Sequence, residues 1–309
     1  MEVTDLKAAS ACLERIGYYR LSGYWYPFRE SALLTDGTGT PLLHPSTKKR
    51  QYGVKNNFRV GTTFSAVMDL YVFDKRLRMI FLDAIERIEV GLRVDIALLL
   101  GARGALVHRD PSQLHGNFTR VNANGQSDHL RWLDNLDQKF RRSKEEFVKH
   151  FKNKYPNQAP PVWIAIELWD FGLLSIFLGG LKHGDRVHLA GKYLIPRENL
   201  LTSWVRNINN VRNICAHHSR LWNRSPADQI SPPKQGEIAL LDHLASDSVA
   251  QSRVYATAAV MQFFLRTINP SSQWSTRLKQ HMRNLPSAAP IGLSQLGFPV
   301  NWETLPLWN

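Results

Sequence analysis

The stretch FSAVMDLYVFDKRLRMIFLDAIERIEVGLRVDIALL, Phe64 to Leu99, decides the fold class. Phe64, Val67, Tyr71, Leu77, Ile80, Phe81, Ala84, Ile88, Leu92, Ile96 and Leu99 recur mostly at three- and four-residue steps, the repeat of one helical face. Thr62 or Thr63 stands just ahead as a hydroxyl cap. Upstream, residues 5–17 read as a short helix, the aromatic run YYRLSGYWYPF breaks at Gly23 and Pro27, and Thr35 to Arg59 reads as a loop with a Lys48, Lys49, Arg50 cluster. Downstream, residues 101–127 form another loop. DHLRWLDNLDQKFRRSKEEFVKHFKNKY then reads as one basic amphipathic helix, and VWIAIELWDFGLLSIFLGGL as a central buried helix. Ile238 to Ile268 holds an amphipathic helix or helix pair, and the tail from Asn269 reads as irregular, packing back through Trp302 and Trp308. The expectation is an all-α protein.

Charge narrows the partner. Among 309 residues, 39 Lys and Arg outnumber 26 Asp and Glu for a net charge of +13, which favours a polyanion. Arg141, Arg142, Lys149, Lys152 and Lys154 crowd the polar side of the basic helix and are the best phosphate-tracking surface in the chain. Nucleic acid is the first candidate partner. Two cysteines, Cys12 and Cys215, lie far apart without metal-ligand spacing, as expected of a reduced cytoplasm. No apolar run reaches membrane-spanning length and no signal-peptide order opens the chain, so a cytoplasmic protein without membrane contact is expected.

Chemistry concentrates in VRNICAHHSRLWNR, Val211 to Arg224. Arg212 and His217 bring together a guanidinium, which can steady charge, and an imidazole, which can move a proton, a pairing suited to a phosphodiester. An arginine followed at similar spacing by histidine also occurs at Arg103 and His108 and at Arg109 and His115, but there in a Gly- and Pro-marked loop, which reads as chance. Around Arg212 a helical rhythm persists through Trp204, Ile208, Val211, Cys215 and Leu221, in a helix begun by IPRENLLTSW with Pro196 in its first turn and Glu198 at its positive end. Two acids are candidates for orienting the arginine. Glu89 makes an i,i+4 pair with Arg93, and Glu167 is an acid inside a helix read as buried, where it needs a partner.

Five ordered segments carry a family resemblance: ERIGYYRLSGYWYPFRE from Glu14, FRVGTTFSAVMDLYVFDKRLRMIFLDAIERIEVGLR from Phe58, PPVWIAIELWDFG from Pro160, VRNICAHHSRLWNR, and GFPVNWETLPLW from Gly297. Together they resemble the Abi family of abortive-infection proteins, of the AbiD and AbiF type, within the HEPN superfamily. The resemblance implies a HEPN-like helical bundle with irregular N-terminal and C-terminal extensions, whose ribonuclease motif falls on Arg212 and His217, with Asn213 the polar residue after the arginine. His218 and Arg220 are reserve candidates. The family usually carries more chain ahead of the first segment, so a truncated or misassigned start at MEVTDLKAAS is expected.

The division expected is residues 1–60 as a family-specific segment and loop, 61–225 as the HEPN-like core, and 226–309 as a helical extension and tail. The function expected is a metal-independent, abortive-infection or toxin-type endoribonuclease acting as a homodimer, with no cofactor and a possible antitoxin protein or RNA. The alternative is a catalytically silent HEPN-fold component of a phage-defence or toxin-antitoxin module that binds RNA or a partner.

Overall fold

A computed structural model describes residues 1–46, 48–288 and 290–309. Thirteen α-helices succeed one another among them: α1 Leu6–Ile16, α2 Tyr18–Trp25, α3 Phe64–Gly101, α4 Gly116–Thr119, α5 Asp128–Arg142, α6 Glu146–Lys154, α7 Val162–Ala165, α8 Phe171–Gly180, α9 His183–Lys192, α10 Glu198–Ala216, α11 Ser248–Gln251, α12 Val254–Ile268 and α13 Trp274–Arg283. Two strands, β1 Arg29–Leu33 and β2 Tyr52–Phe58, pair antiparallel between α2 and α3. The fold is predominantly all-α, as the periodicity requires.

The spine is α3. Thr63 caps it by accepting a hydrogen bond from the Ala66 amide, and Val67, Leu70, Leu77, Phe81, Ala84, Ile88, Leu92, Ile96 and Leu100 are buried along its length. Helices α2, α10, α12 and α13 all pack on it. Beside α10, Trp132, Trp169 and Phe177 meet pairwise with ring centroids 4.7 Å apart. The Trp132 indole also donates to the Leu173 carbonyl at 2.9 Å, so the cluster is fixed in orientation as well as buried. Trp302 and Trp308 are buried in the same continuous core, so the tail does fold back as its aromatics suggest.

Several local expectations are corrected. The segment read as one central helix from Val162 breaks after α7 into a short 3₁₀ turn, Ile166–Leu168, and restarts as α8 because the Asp170 side chain accepts from the Leu173 amide at 2.8 Å. Glu167 therefore lies exposed on that turn rather than inside a buried helix. Helix α12 is the one buried on every face, from Val254 through Leu265, rather than amphipathic.

The basic helix is two helices. Ser143 and Glu145 are extended, with the Ser143 hydroxyl accepting from the Glu145 amide at 3.2 Å, a bond that competes with helix continuation. The fold-back sets Phe151 against Phe140, ring centroids 6.1 Å apart.

Helix α2 runs through Gly23 without a break, and the loop expected up to Arg59 ends in strand β2. That strand is largely exposed, so it carries no apolar alternation to announce it. In the tail, α13 stands where irregular chain was expected. Among the described residues no helix is long and apolar enough to cross a membrane.

Candidate active site at the end of helix α10

Four polar residues of α10 lie along one side. Thr202, Arg206, Asn209 and Asn213 are spaced i, i+4, i+7 and i+11, which stacks them on a single face. Arg212 sits at the edge of that face, half-buried, with its guanidinium donating to the Asn213 side-chain oxygen at 3.3 Å. Glu198 opens the helix and is held by Arg186 at 3.0 Å, while Pro196 precedes the Arg197 cap instead of entering the first turn.

The helix stops at Ala216, so His217 occupies the capping position and the rhythm expected through Leu221 does not continue. Ser219 N donates to Ile214 O at 2.9 Å and His218 N to Cys215 O at 3.1 Å, the paired bonds of a Schellman ending. The left-handed residue of that ending is His218, φ +55°, where glycine is the usual occupant. Both histidines are exposed, and neither ring makes a hydrogen bond among the described residues. The turn thus presents two imidazoles to solvent.

The segment beyond the turn is anchored. Asp74, fully buried on α3, accepts from Trp222 N at 2.7 Å, from Leu221 N at 3.2 Å and from the Tyr24 hydroxyl at 2.6 Å, and is paired with buried Arg78. Burial pushes the Asp74 carboxyl up, against the lowering influence of these donors. Every neighbour donates, so the arrangement needs the carboxylate. The Arg220 guanidinium donates to the Gly23 carbonyl, and Arg20 donates to the His218 carbonyl at 2.7 Å. Arg220 thereby fastens α2 to the turn. The aromatic run of α2 splits accordingly: Tyr24, Trp25 and Phe28 are buried, while Tyr18, Tyr19 and Tyr26 face solvent. Neighbouring Cys215 is buried, and that burial, with the Asp74 charge, pushes its thiol up to about 12 and leaves it unreactive.

Two acids stand in the electrostatic field of Arg212: Glu89 on α3 and Asp170 at the start of α8. Burial raises Glu89 above the ordinary carboxylate value, outweighing Arg93 and Arg212. Burial also pushes Asp170 up, but the Lys139 ammonium at 2.8 Å, the Leu173 amide and the Arg212 charge prevail and hold it below the ordinary value. Glu89 is paired with Arg93, whose guanidinium also reaches the Trp169 carbonyl. The second acid in the Arg212 field is therefore Asp170, while Glu167 lines a cleft of about 760 Å³ with Arg93, Lys139, Arg142 and Asp170.

Of the surface cations, Arg141, Arg142, Lys149 and Lys154 are exposed. Lys149 pairs with Glu146 at 2.7 Å, and Lys152 bends back to the Arg141 carbonyl and over the Phe140 ring. Arg142 lines the cleft beside Asp170, so the basic elbow between α5 and α6 borders the site rather than forming a remote patch.

Sequence reasoning missed Asp74 and Asp170, and both had signals. Asp74 falls on the apolar stripe Val67, Leu70, Leu77, Phe81, where an acid is buried by position; Asp170 precedes FGLL as a cap would. Among the described residues, no three His, Cys, Asp or Glu side chains gather into a metal-binding group.

Compared with known proteins, the chain matches the family described as Abi-like protein over residues 11–223, more than half its length. That span takes in α2, the Asp74 anchor and the whole of α10. No curated protein and no solved structure matches the chain.

Proposed function

The chain belongs to the Abi-like protein family, and from that premise we propose that it is an endoribonuclease of the HEPN kind, cutting RNA with Arg212 and His217. Family membership points to abortive infection, a phage-defence role. The observation that supports the finer reading is that Arg212 and Asn213 in the last turn of α10 and His217 at its cap precede a segment anchored to buried Asp74, while the His217 ring makes no hydrogen bond among the described residues. Groups held in position yet free of internal partners are what chemistry on an incoming ligand needs.

In the proposed reaction an RNA 2′-oxygen bonds to the adjacent phosphorus as its proton passes to an imidazole. The bond from phosphorus to the 5′-oxygen breaks, that oxygen takes up a proton, and a 2′,3′-cyclic phosphate and a 5′-hydroxyl result. Arg212 steadies the phosphoryl oxygens as charge gathers, and Asn213 orients them. In this reading the charges of Glu89 and Asp170 help to orient Arg212. One imidazole does not serve readily as base and acid in one step, so the proposal includes a homodimer that brings two His217 rings to one phosphate. Arg141, Arg142, Lys149, Lys152 and Lys154 supply the RNA-attracting surface, and a cytoplasmic setting with an antitoxin protein or RNA as restraint belongs to the same proposal.

Purified chain is incubated with single-stranded RNAs in the presence of EDTA, beside His217→Ala. Cleavage by the unsubstituted chain alone, with RNA binding kept in the variant, supports the reading. If EDTA abolishes cutting, or the variant cuts normally, the mechanism is wrong. RNA bound tightly but never cut selects the silent binding component instead. Excess His217→Ala chains mixed with unsubstituted chains suppress activity beyond dilution if the site is composite; a fully active monomer in light scattering removes the dimer alone.

A further inference from the structure

Helices α8 and α10 run antiparallel. The start of α8 lies by the end of α10, where Asp170 feels the Arg212 charge, and the end of α8 lies by the start of α10, where Arg186 donates to the Gly179 carbonyl and holds Glu198. Between them opens a second cleft of about 660 Å³, whose walls include Ser175, Ile176 and Gly179 of α8 and Thr202, Arg206 and Asn209 of α10. It lies on the same face of α10 as Asn213. Arg206 and Asn213 are seven residues apart, roughly 10 Å along the helix, so the cleft leads up to the proposed cutting site.

Part of the cleft's polar lining is used by the fold: the Thr202 hydroxyl donates to the Glu198 and Asn199 carbonyls at 3.3 and 3.1 Å. Its acids are already neutralised, Glu198 by Arg186 and Asp128 by Arg131. Arg206 is exposed and makes no side-chain hydrogen bond or ion pair among the described residues. The side-chain oxygen of Asn209 is shut off from solvent and has no partner among them either, an arrangement a folded chain ordinarily avoids. Ile176, 53% exposed, adds an apolar wall. An unpaired guanidinium, an amide, a hydroxyl oxygen with acceptor capacity left and an apolar wall together suit one unpaired nucleotide, with phosphate, base edge or sugar and base face each met by a different group.

We propose that the cleft between α8 and α10 is a nucleotide-binding subsite for the single-stranded RNA flanking the bond at Arg212 and His217. Arg206 takes the flanking phosphate, while the Asn209 amide nitrogen as donor and the Thr202 hydroxyl oxygen as acceptor meet the sugar or base. The strand then runs from the basic elbow cleft at Arg142, across Arg212, into this groove. The subsite rests on the ribonuclease reading and supplies its specificity.

Gly179 gives a clean test. A Cβ built there meets nothing within 4 Å, so Gly179→Leu starts its side chain in open space at the cleft wall, and replacing a glycine in the last turn of α8 does not lower the helix propensity there. Fluorescent single-stranded oligoribonucleotides are titrated against His217→Ala chains, so that nothing is cut, with and without Arg206→Gln or Gly179→Leu. Each addition is expected to weaken binding about tenfold, with thermal stability kept. Arg206→Gln is also expected to lower the slope of log affinity against log salt by about 0.7, one single-strand phosphate. If RNA binds and neither substitution changes its affinity, the subsite is wrong and the ribonuclease reading stands. A loss with Arg206→Gln alone makes the arginine a general cation and overturns the cleft. If the parent chain binds no RNA, subsite and ribonuclease reading fall together.

Discussion

The region from Arg103 to His115 and the end of α10 have nearly the same arginine-to-histidine spacing and opposite structures. In the first, Arg103 is spent on Asp185 at 2.9 Å and Arg109 on both oxygens of Asp137 at 2.8 and 2.9 Å. His108 is wholly buried, and the His115 ring accepts the Asn117 amide at 3.2 Å to start α4. At the end of α10 the guanidinium of Arg212 makes, among the described residues, one hydrogen bond, to its neighbour Asn213, and His217 and His218 are exposed. Spacing alone does not make a site. The difference lies in whether the fold has already consumed the groups.

The largest effect expected of that difference is on cleavage. Arg212→Ala is expected to lower the cleavage rate about 10²- to 10³-fold, the loss typical of one group stabilising developing charge. Arg109→Ala in the contrasting region should leave the rate of the folded fraction near that of the parent. Equal losses, read in single-turnover cleavage with folding checked by circular dichroism, would erase the distinction.

Next comes the anchor behind the exposed turn. Asp74→Asn leaves Arg78 buried without its counter-charge and is expected to cost about 3–5 kcal/mol in urea unfolding. A cost below about 1 kcal/mol would mean that the carboxylate does not hold the turn.

The buried histidine makes the contrast dependent on pH. Burial above all, then the charges of Arg109 and His129, holds His108 down to about 3 from an ordinary 6.5, and neither ring nitrogen has a partner among the described residues. Between those values the unfolded chain takes up a proton that the folded chain refuses. The stability is thus fully present above the ordinary value and drains away as pH falls toward the folded one. His108→Leu is expected to flatten the loss of melting temperature between about pH 7 and about pH 4, and to leave cleavage at neutral pH unchanged. An unaltered acid slope would mean that other groups carry it; Asp137, Asp170 and Glu198, all held below the ordinary value, act in the same direction.

The smallest effect separates the two exposed histidines. His218→Gly relieves a left-handed non-glycine residue and is expected to stabilise the chain by up to about 1 kcal/mol. If His217 alone moves the proton, cleavage persists. A glycine variant that is stable and inactive would transfer the role to His218.

How much of this was legible in the chain varies with the range of the interaction. The length and cap of α3, the helix carrying Arg212, the basic stretch and the return of Trp302 and Trp308 all come from the residues themselves. Helical periodicity and charge are local, and a window of sequence contains them whole. The ending of α10 before His217, the split of the basic helix and the restart at Asp170 were less legible, because a single hydroxyl or carboxylate competing for a backbone amide leaves the apolar rhythm unchanged. Tertiary structure alone decided that Asp74 holds the turn from α3, that the Arg220 guanidinium meets the Gly23 carbonyl, that Glu167 faces solvent, and that α8 and α10 leave a polar groove along the Arg206 and Asn209 face. Each of these depends on which distant group arrives to meet or leave unmet a given donor or acceptor, and a sequence states only that the group exists.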